Sequence, residues 1–306
     1  EAVARVSGLV EYTGSLAVNQ SQSGQVDLII NSDLLGGQID LPEPIGKGPA
    51  EQKDLQVKVR QHEKDIVIDA DYGTFSKARL LLQNSAFVGG ELVLSASQDK
   101  NLNATIPNGL VVSGDFDRIL VQNWQSVIAD FSNASNASDA VEMPSLPAWL
   151  SKVDLIVDEV VVNPSNTWHN FKVSYSAATD KPLFVSSDEV NFSFSNDAGV
   201  PNLHFGFLSW NTDSSEDQEE TKGKGAPLSD QQITSMTLAI DQLYFNGKPY
   251  GDWLLSVARE GDVVRIDPIS SKLKTGDFKG SLFWQDRGDA SSVELTIAAS
   301  GADLAE

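Results

Sequence analysis

The chain has 306 residues, no cysteine and a net charge of −21, and each of these features excludes a class of function. Its 43 acidic residues outnumber the 22 basic ones, so no basic stripe is left to neutralise phosphates, and nucleic acid is excluded as a partner. Without cysteine there is no disulfide framework, cysteine zinc site or thiol nucleophile. The hydrophobic fraction of 41% is typical of a folded protein, and no long apolar run predicts a membrane-spanning helix.

Apolar and polar residues alternate along most of the chain, which predicts β-strands with one apolar and one polar face. Gly, Asn and Asp separate the alternating runs and mark the turns. The clearest runs are 25–30, 65–70, 78–83, 90–96, 189–195, 202–208 and 292–298. The sequence therefore predicts a mostly β protein built on antiparallel sheet with one face in water.

Few segments have helical spacing, and two polar segments predict module boundaries. Residues 118–131 carry apolar side chains at helix-like intervals, with Asp117 as the N-cap, and a short turn is predicted near Pro147. Residues 132–147 and 211–230 read as loops. We predict three modules: an N-terminal β segment that ends in a short helix, a first β-repeat module with flanking loops, and a second β-repeat module, over residues 1–131, 132–225 and 226–306.

The two repeat modules are predicted from a strand-pair pattern that occurs twice. Residues 153–176 and 236–258 both read as an apolar strand, an Asp, a second apolar run, an Asn-led turn and another strand with an aromatic residue. Self-similarity at a fixed period indicates a stacked supersecondary module. Stacked strand modules make long surfaces, which favours binding or transport over catalysis.

No catalytic constellation is present in the sequence, and we predict neither an enzyme nor a cofactor or metal. The three histidines, His62, His169 and His204, have no metal-ligand spacing and no adjacent nucleophile. The Ser271–Lys274 segment matches the S-x-x-K pattern of serine acylases but lacks its companion motifs and lies in a strand or turn context.

Two pairs of carboxylates leave a carbohydrate-active interpretation open. In each pair the D-x-D spacing on a strand puts both side chains on one face, where they suit a cation or a glycosidase acid and base. The simpler interpretation is a solvated strand face in an acidic protein. The candidates are Asp69 with Asp71 and Asp115 with Asp117, and Trp124 and Trp253 are candidate sugar platforms.

The strand aromatics have two interpretations that the residues alone do not separate. They form either the packed core of a sandwich or an apolar face that no second sheet covers and that receives acyl chains. These residues are Phe192, Phe194, Phe205, Phe207, Phe245, Phe283 and Trp253.

Residues 36–59, GGQIDLPEPIGKGPAEQKDLQVKV, resemble a signature of the YhdP-type branch of the AsmA-like proteins. Residues 116–124 and 249–284 resemble two further, more degenerate segments of that family, although Gly280 and Trp284 are further apart than the usual G-x-W. The match in the first segment is carried by Asp40, Leu41, Pro42, Pro44, Gly46, Lys47, Ala50 and Glu51.

This resemblance implies a large envelope protein of Gram-negative bacteria that takes part in outer-membrane biogenesis. Such proteins are anchored in the inner membrane by one helix, extend across the periplasm and are proposed to conduct phospholipids between the two membranes. The chain would be an internal or C-terminal portion. Its expected partners are phospholipids, the rest of the parent chain with its anchor, and outer-membrane or other envelope proteins.

The fold that the resemblance implies is a long curved antiparallel sheet of repeated strand modules forming an apolar groove, with one or two short helices. Passive conduction of acyl chains along this groove is the expected function, and a structural or adhesive β-scaffold without ligand, or a carbohydrate-binding β-domain, is the alternative. The predicted groove lining is a set of inward apolar side chains: Ile66, Ile68, Leu80, Leu82, Leu92, Leu94, Phe192, Phe194, Phe205, Phe207, Leu243, Phe245 and Trp253.

Overall fold

A computed structural model of the chain describes residues 5–19, 25–95, 102–127, 147–179, 183–197, 200–212, 235–261, 263–273, 276–286 and 291–301. The described residues are mainly β-strands, and the one helix among them, α1, comprises residues 121–127. The first nine strands are β1 (Val6–Gly8), β2 (Thr13–Asn19), β3 (Gln25–Ser32), β4 (Gly37–Ile39), β5 (Leu55–His62), β6 (Asp65–Tyr72), β7 (Ser76–Gln83), β8 (Ala86–Ser95) and β9 (Gly109–Leu120).

Twelve further strands follow α1. They are β10 (Leu150–Asn163), β11 (Asn166–Ser176), β12 (Leu183–Ser186), β13 (Val190–Asp197), β14 (Val200–Trp210), β15 (Met236–Ile240), β16 (Leu243–Phe245), β17 (Lys248–Pro249), β18 (Asp252–Glu260), β19 (Val263–Leu273), β20 (Gly276–Asp286) and β21 (Ser291–Gly301). Nineteen strands belong to one large, mostly antiparallel sheet, and β1 pairs with β4 in a separate one. The predicted fold class, a mostly β protein with a long antiparallel sheet and few helices, is confirmed.

The chain divides into two compact units, which we describe separately. Unit 1 comprises residues within 1–131, 146–160 and 172–178, and unit 2 comprises those within 132–145, 161–171 and 179–306. The division into three modules stays a prediction, because its two boundaries lie outside the described residues.

In unit 1, strands β2, β3, β5, β6, β7 and β8 form a consecutive antiparallel ladder, and β9 adds to β8 in parallel. In unit 2, an antiparallel ladder runs from β12 through β13 to β14. Two short strands, β15 and β16, then pair in parallel with successive parts of β14. From β15 the ladder continues antiparallel through β18, β19 and β20 to β21.

A buried lysine stabilises the long connection between β3 and β5. Lys47 is 5% exposed, and its ammonium group donates to the carbonyl oxygens of Leu34, Gly37 and Gly48. The Lys47 backbone also pairs with that of Ile39, which ties the connection to β4. The three donors of the ammonium group are thus matched by three acceptors, and burial of its charge is compensated.

The predicted helix over residues 118–131 is only partly correct. The strand β9 continues to Leu120, and the described helical residues are 121–127. Asp117 lies inside β9 and is not an N-cap. Phe116 is buried and continues the alternation that begins at residue 109. Arg118, which forms an ion pair with Glu159, also lies on this strand. Residues 128–131 lie outside the described part of the chain.

The two copies of the sequence repeat differ in structure. The first copy, 153–176, lies within two long strands, β10 and β11, whereas the second, 236–258, comprises four short ones, β15 to β18. The second copy is interrupted at Asp241, whose backbone NH donates to the carbonyl of Phe205 on β14. The predicted Asn-led turn forms in both copies. In the first, Asn163 Oδ1 accepts a hydrogen bond from the backbone NH of Ser165 at 3.0 Å, and in the second Asn246 and Gly247 both adopt the positive φ that a tight hairpin turn requires.

Candidate functional site

One face of the unit 1 sheet is lined by apolar side chains. Residues that pair directly across neighbouring strands share a face, so the register identifies the members of each face. One row crosses seven strands: Leu16, Leu28, Val59, Ile68, Leu80, Gly90 and Leu110. The next row is Gly14, Ile30, Val57, Ala70, Ala78, Leu92 and Val112. We call this surface the apolar face of unit 1.

Within the described residues, no second layer of chain seals this apolar face. From β3 to β9 the aliphatic side chains of both rows are half-buried. At β2 the exposed fraction rises to 65% for Leu16 and 58% for Val18. A sandwich core buries the inner residues of both its sheets, and these rows do not reach that degree of burial.

The opposite face of unit 1 carries charges of alternating sign. Lys58, Asp69, Arg79 and Glu91 are cross-strand neighbours in a single row. The carboxylate of Asp69 accepts a hydrogen bond from Nε of Arg79 at 2.6 Å and also pairs with Arg60. Opposite charges across strands favour this register over its alternatives. We call this surface the polar face of unit 1.

A short chain segment covers part of the polar face. The backbone NH and Nδ2 of Asn103 donate to the Glu91 carboxylate at 2.7 and 2.6 Å, and Arg79 donates to the Asn103 carbonyl at 3.2 Å. Glu91 is 6% exposed and Val93, on the same face of β8, is 4% exposed. At β8, therefore, unit 1 buries its polar face more completely than its apolar face.

Unit 2 has an apolar face of the same kind across eight strands. One row is Leu183, Phe194, Leu203, Leu238, Leu255, Ile269, Gly280 and Ile297. The adjacent row is Val185, Phe192, Phe205, Ile240, Trp253, Ser271, Phe278 and Ala299. We call these rows the apolar face of unit 2, and Ser271 has the only polar side chain in them.

The apolar face of unit 2 contains pairs of packed aromatic rings. The rings of Phe192 and Phe205 lie 5.1 Å apart between centroids, and those of Trp253 and Phe278 lie 5.8 Å apart. The indole NH of Trp253 donates to the carbonyl of Tyr250 at 2.8 Å, which fixes the orientation of the ring. All four rings belong to half-buried residues.

The apolar face of unit 2 becomes more exposed toward β21. Val293 is 64% exposed, and Leu295 and Ile297 are each 54% exposed. These side chains pair with Trp284, Leu282 and Gly280 on β20 and so continue the same face. Long exposed apolar surfaces of this kind mark sites of interaction with lipid or protein.

The register brings most of the predicted groove residues together within each unit. On the apolar face of unit 1 lie Ile66, Ile68, Leu80, Leu82, Leu92 and Leu94. On the apolar face of unit 2 lie Phe192, Phe194, Phe205 and Trp253. Leu243 and Phe245 on β16 pair with Leu208 and Trp210 on β14. Leu208 also pairs with Val190, which points to the same side of β13 as Phe192, so Leu243 and Phe245 share that face. Their role in lining a groove stays a prediction.

Phe207 is the predicted residue that the register separates from the others. A β-bulge between Asn191 and Phe192 places Phe207 opposite Asn191, whereas Phe205 lies opposite Phe192. The extra residue reverses the side-chain alternation along β14. Phe207 accordingly packs its ring against Tyr244, 5.5 Å away, and does not join the Phe192–Phe205 pair.

Sequence reasoning missed several members of the two faces. Leu28 and Val59 lie in runs with clear alternation, so their signal was present in the sequence. Leu255 pairs with Leu238 and Ile269, and Phe278 pairs with Ser271, so both join the face through the register of neighbouring strands. Ser271 was noted for a motif, and only the register reveals that its hydroxyl lies among apolar side chains.

The Asp69–Asp71 pair does not form a separate acid–base centre. Asp69 is engaged by Arg60 and Arg79, so its carboxylate is not free to act with Asp71. Among the described residues, no group of three or more His, Asp or Glu side chains is placed to hold a metal ion. Trp253, one of the two candidate sugar platforms, packs against Phe278 on the apolar face of unit 2.

Tyr72 is the last residue of β6 and has the parity of the unit 1 apolar face. Its hydroxyl donates to the carbonyl of Ile45 at 2.8 Å, and the ammonium group of Lys53 lies 5.6 Å from the centre of its ring. Burial, and secondarily the charge of Glu51, raises the pKa of Tyr72 above its ordinary value of 10.0. Beside it is a cavity of about 480 Å³ lined by Pro44, Gln52, Lys53, Asp54, Tyr72, Gly73, Thr74 and Phe75.

Comparison with known proteins gives this geometry a family context. Within the described residues, no helix is long and apolar enough to cross a membrane. No curated protein sequence matches the chain significantly. The family model described as YhdP protein matches residues 1–306. The chain therefore belongs to the YhdP family.

Proposed function

We propose that the chain binds phospholipid acyl chains on its apolar faces and conducts them passively across the periplasm between the inner and outer membranes. The observation that carries this proposal is the pair of apolar faces, whose side chains are mostly half-buried and whose rows cross seven strands in unit 1 and eight in unit 2. Membership of the YhdP family fits lipid transport in general, and fits a transport-type protein better than an enzyme.

The energetics suit transfer of acyl chains without an input of chemical energy at the face itself. Burying one CH₂ group is worth about 0.8 kcal/mol, so contact with an apolar face offsets much of the cost of leaving a bilayer. An eight-residue strand such as β6 extends for about 27 Å. One leaflet of a bilayer contains about 15 Å of hydrocarbon. A single strand is therefore long enough to support one acyl chain.

The repetition of the rows supports movement of lipid as well as binding. Neighbouring strands are spaced by about 4.8 Å, so an acyl chain that shifts by one strand meets a similar set of aliphatic groups. Equivalent positions give no deep energy minimum that would trap the lipid. The charged headgroup stays in water in this proposal, because burying its phosphate without a partner is too costly.

The proposal includes the location and the partners of the chain. It acts in the periplasm as part of a protein anchored in the inner membrane, together with the rest of the parent chain. Outer-membrane or other envelope proteins receive or supply the lipid. The chain contributes a stretch of apolar surface to this path.

The first test is native mass spectrometry with lipid extraction on the 306-residue chain purified from a bacterial envelope. The proposal predicts bound phospholipid at a reproducible stoichiometry. A clean mass without lipid, together with no uptake of added labelled phospholipid, would overturn it and favour a structural scaffold.

The second test uses two adjacent cross-strand pairs that point to opposite faces. Phe192 and Phe205 pair on the apolar face of unit 2, and Ser193 and His204 pair on the face behind it. The double variant Phe192→Asp/Phe205→Asp is expected to lose most of the lipid bound by unit 2. The matched variant Ser193→Asp/His204→Asp adds the same charge to the same two strands and is expected to keep it. Equal lipid loading of the two variants would contradict the proposal.

A further inference from the structure

The hydroxyl of Ser271 is a buried hydrogen-bond donor without a partner in the middle of an apolar surface. Ser271 is 4% exposed, and its Oγ atom has no hydrogen-bond partner among the described residues. All seven other members of its row, from Val185 on β12 to Ala299 on β21, are apolar. An unsatisfied buried hydroxyl costs about 1–3 kcal/mol, so its presence here calls for an acceptor that the described part of the chain does not supply.

Two aromatic rings stand on either side of this hydroxyl. Trp253 on β18 and Phe278 on β20 are the direct cross-strand neighbours of Ser271. Their ring centroids are 5.8 Å apart, closer than two strand spacings, so the rings lean together over Ser271. Trp253 is fixed by its hydrogen bond to Tyr250, whereas the side chain of Phe278 has no polar anchor.

We propose that Ser271 donates a hydrogen bond to the ester carbonyl of an acyl-ester lipid bound on the apolar face of unit 2. This inference rests on the proposed function and adds the class of lipid that the face selects. An acyl-ester lipid combines the two features of the site, a long hydrocarbon and a carbonyl acceptor at one end of it. A pure hydrocarbon surface does not distinguish ester from ether lipids, but a single buried donor does, because only the ester offers the carbonyl acceptor.

The space beside Phe278 supports this assignment. Gly280 lies two residues along β20 on the same face, and a Cβ atom there would lie 3.7 Å from the Phe278 ring. It would also lie 2.8 Å from the carbonyl oxygen of Thr296, too close for a side chain. The glycine therefore puts no side chain against the Phe278 ring, and a cavity of about 330 Å³, whose lining includes Trp253, Ser271 and Phe278, offers space for the carbonyl end of a lipid.

The test compares binding of dipalmitoyl phosphatidylcholine with that of its diether analogue, dihexadecyl phosphatidylcholine. The two lipids share the headgroup and the hydrocarbon, and only the first has ester carbonyls. We expect the 306-residue chain to bind the ester lipid about fivefold more tightly, the equivalent of one neutral hydrogen bond. In Ser271→Ala the ratio is expected to fall to about one by loss of ester-lipid affinity, and Ser271→Thr, which keeps a hydroxyl, is expected to restore part of it.

Ser270 provides a matched control, because it is the preceding residue on β19 and pairs with Leu254 and Lys279 on the opposite face. Ser270→Ala is expected to keep the wild-type ratio. Ser271→Ala removes an unsatisfied buried group, so its melting temperature should equal or exceed that of the wild type, and a loss of affinity will not reflect unfolding. An unchanged ratio in Ser271→Ala, or equal binding of both lipids by the wild type, would overturn the assignment of Ser271. Binding of neither lipid would overturn the proposed function instead.

Discussion

The two units build the same kind of surface with different side chains. The apolar face of unit 1 is aliphatic, and the row through Ile68 and Leu80 contains no ring. The apolar face of unit 2 is rich in aromatic residues, with ring pairs at Phe192–Phe205 and Trp253–Phe278. What the units share is alternation that leaves one face apolar and only half-buried.

The faces behind these surfaces carry polar and charged side chains in both units. Unit 1 holds its strands in register with a row of alternating charges centred on Asp69. The corresponding face of unit 2 combines hydroxyl groups, such as that of Ser270, with a row in which Lys272 lies between Asp252 and Asp277. The apolar face is therefore the feature to associate with a common function, and the charges behind it serve the separate problem of register.

The largest expected effect is on lipid binding, and it comes from placing a charge on the apolar face that the two units share. Leu80 and Leu81 are adjacent on β7, both half-buried, and point to opposite faces of unit 1. Leu80→Asp puts a charge on the apolar face and should abolish most lipid binding by unit 1. Leu81→Asp puts the same charge on the polar face and should leave binding nearly intact.

Site-specific photo-crosslinking to phospholipid from neighbouring positions on β6 and β7 measures this difference. Circular dichroism at the same temperature controls for folding. Equal crosslinking in the two leucine variants would mean that the faces of unit 1 are not distinguished by lipid, and the analogy with unit 2 would fail.

The shared alternation is the part of the structure that the sequence predicts well. Alternation is local, so the strand content, the antiparallel sheet and the common face of Ile66, Ile68, Leu80 and Leu82 could be inferred without long-range information. Lys47 was recognised from a family motif, but its three carbonyl partners depend on the fold of the connection between β3 and β5.

The features that escaped prediction are those that depend on register. A single bulge opposite β13 moves Phe207 away from Phe205, and nothing in the sequence near Gly206 specifies this. The contact of Asn103 with Glu91 joins residues whose proximity depends on the path of the chain after β8. The apolar surroundings of Ser271 become evident only when the register shows that Trp253 and Phe278 flank it.

The second prediction concerns Lys47, which belongs to the connection between β3 and β5 at one end of unit 1. Lys47→Met keeps the length of the side chain but leaves three carbonyl oxygens without a donor. We expect the free energy of unfolding to fall by about 3 kcal/mol, with hydrogen exchange accelerated mainly between residues 33 and 54. The exposed turn residue Lys64 is the control, and Lys64→Met should change neither quantity. Unchanged protection of the connection in Lys47→Met would show that the carbonyl cage is not what holds it.

The third prediction concerns the row of charges on the polar face of unit 1. Asp69→Asn removes the charge that Arg60 and Arg79 share, and its side chain is only 15% exposed. A loss of about 2 kcal/mol in the free energy of unfolding is expected, because hydrogen bonds to a charged group are lost while both guanidinium groups remain. Urea denaturation measures it, with the exposed Asp65→Asn as a control expected to lie within about 0.5 kcal/mol of the wild type. If both variants unfold at the same urea concentration, the charged row does not stabilise unit 1.

The smallest expected effect is a pH dependence at the end of the unit 1 apolar face. Burial, followed by the negative charge of Glu51, raises the pKa of Tyr72 above 10.0, so the neutral phenol is favoured in the folded state. This contribution to stability is complete below pH 10.0 and is lost as the pH rises through the raised pKa of the folded protein. Tyr72→Phe cannot ionise and should therefore lose less stability than the wild type over that alkaline range, although it starts lower because the hydrogen bond to Ile45 is missing.

The difference in phenolate absorbance between the wild type and Tyr72→Phe gives the titration of Tyr72 directly. Glu51→Gln removes the secondary cause and should lower this pKa only in part, because burial remains. A Tyr72 that titrates at its ordinary pKa in the wild type would mean that water reaches its hydroxyl freely. The connection containing Ile45 would then not be packed against the end of the apolar face, and that end would be open to a lipid headgroup.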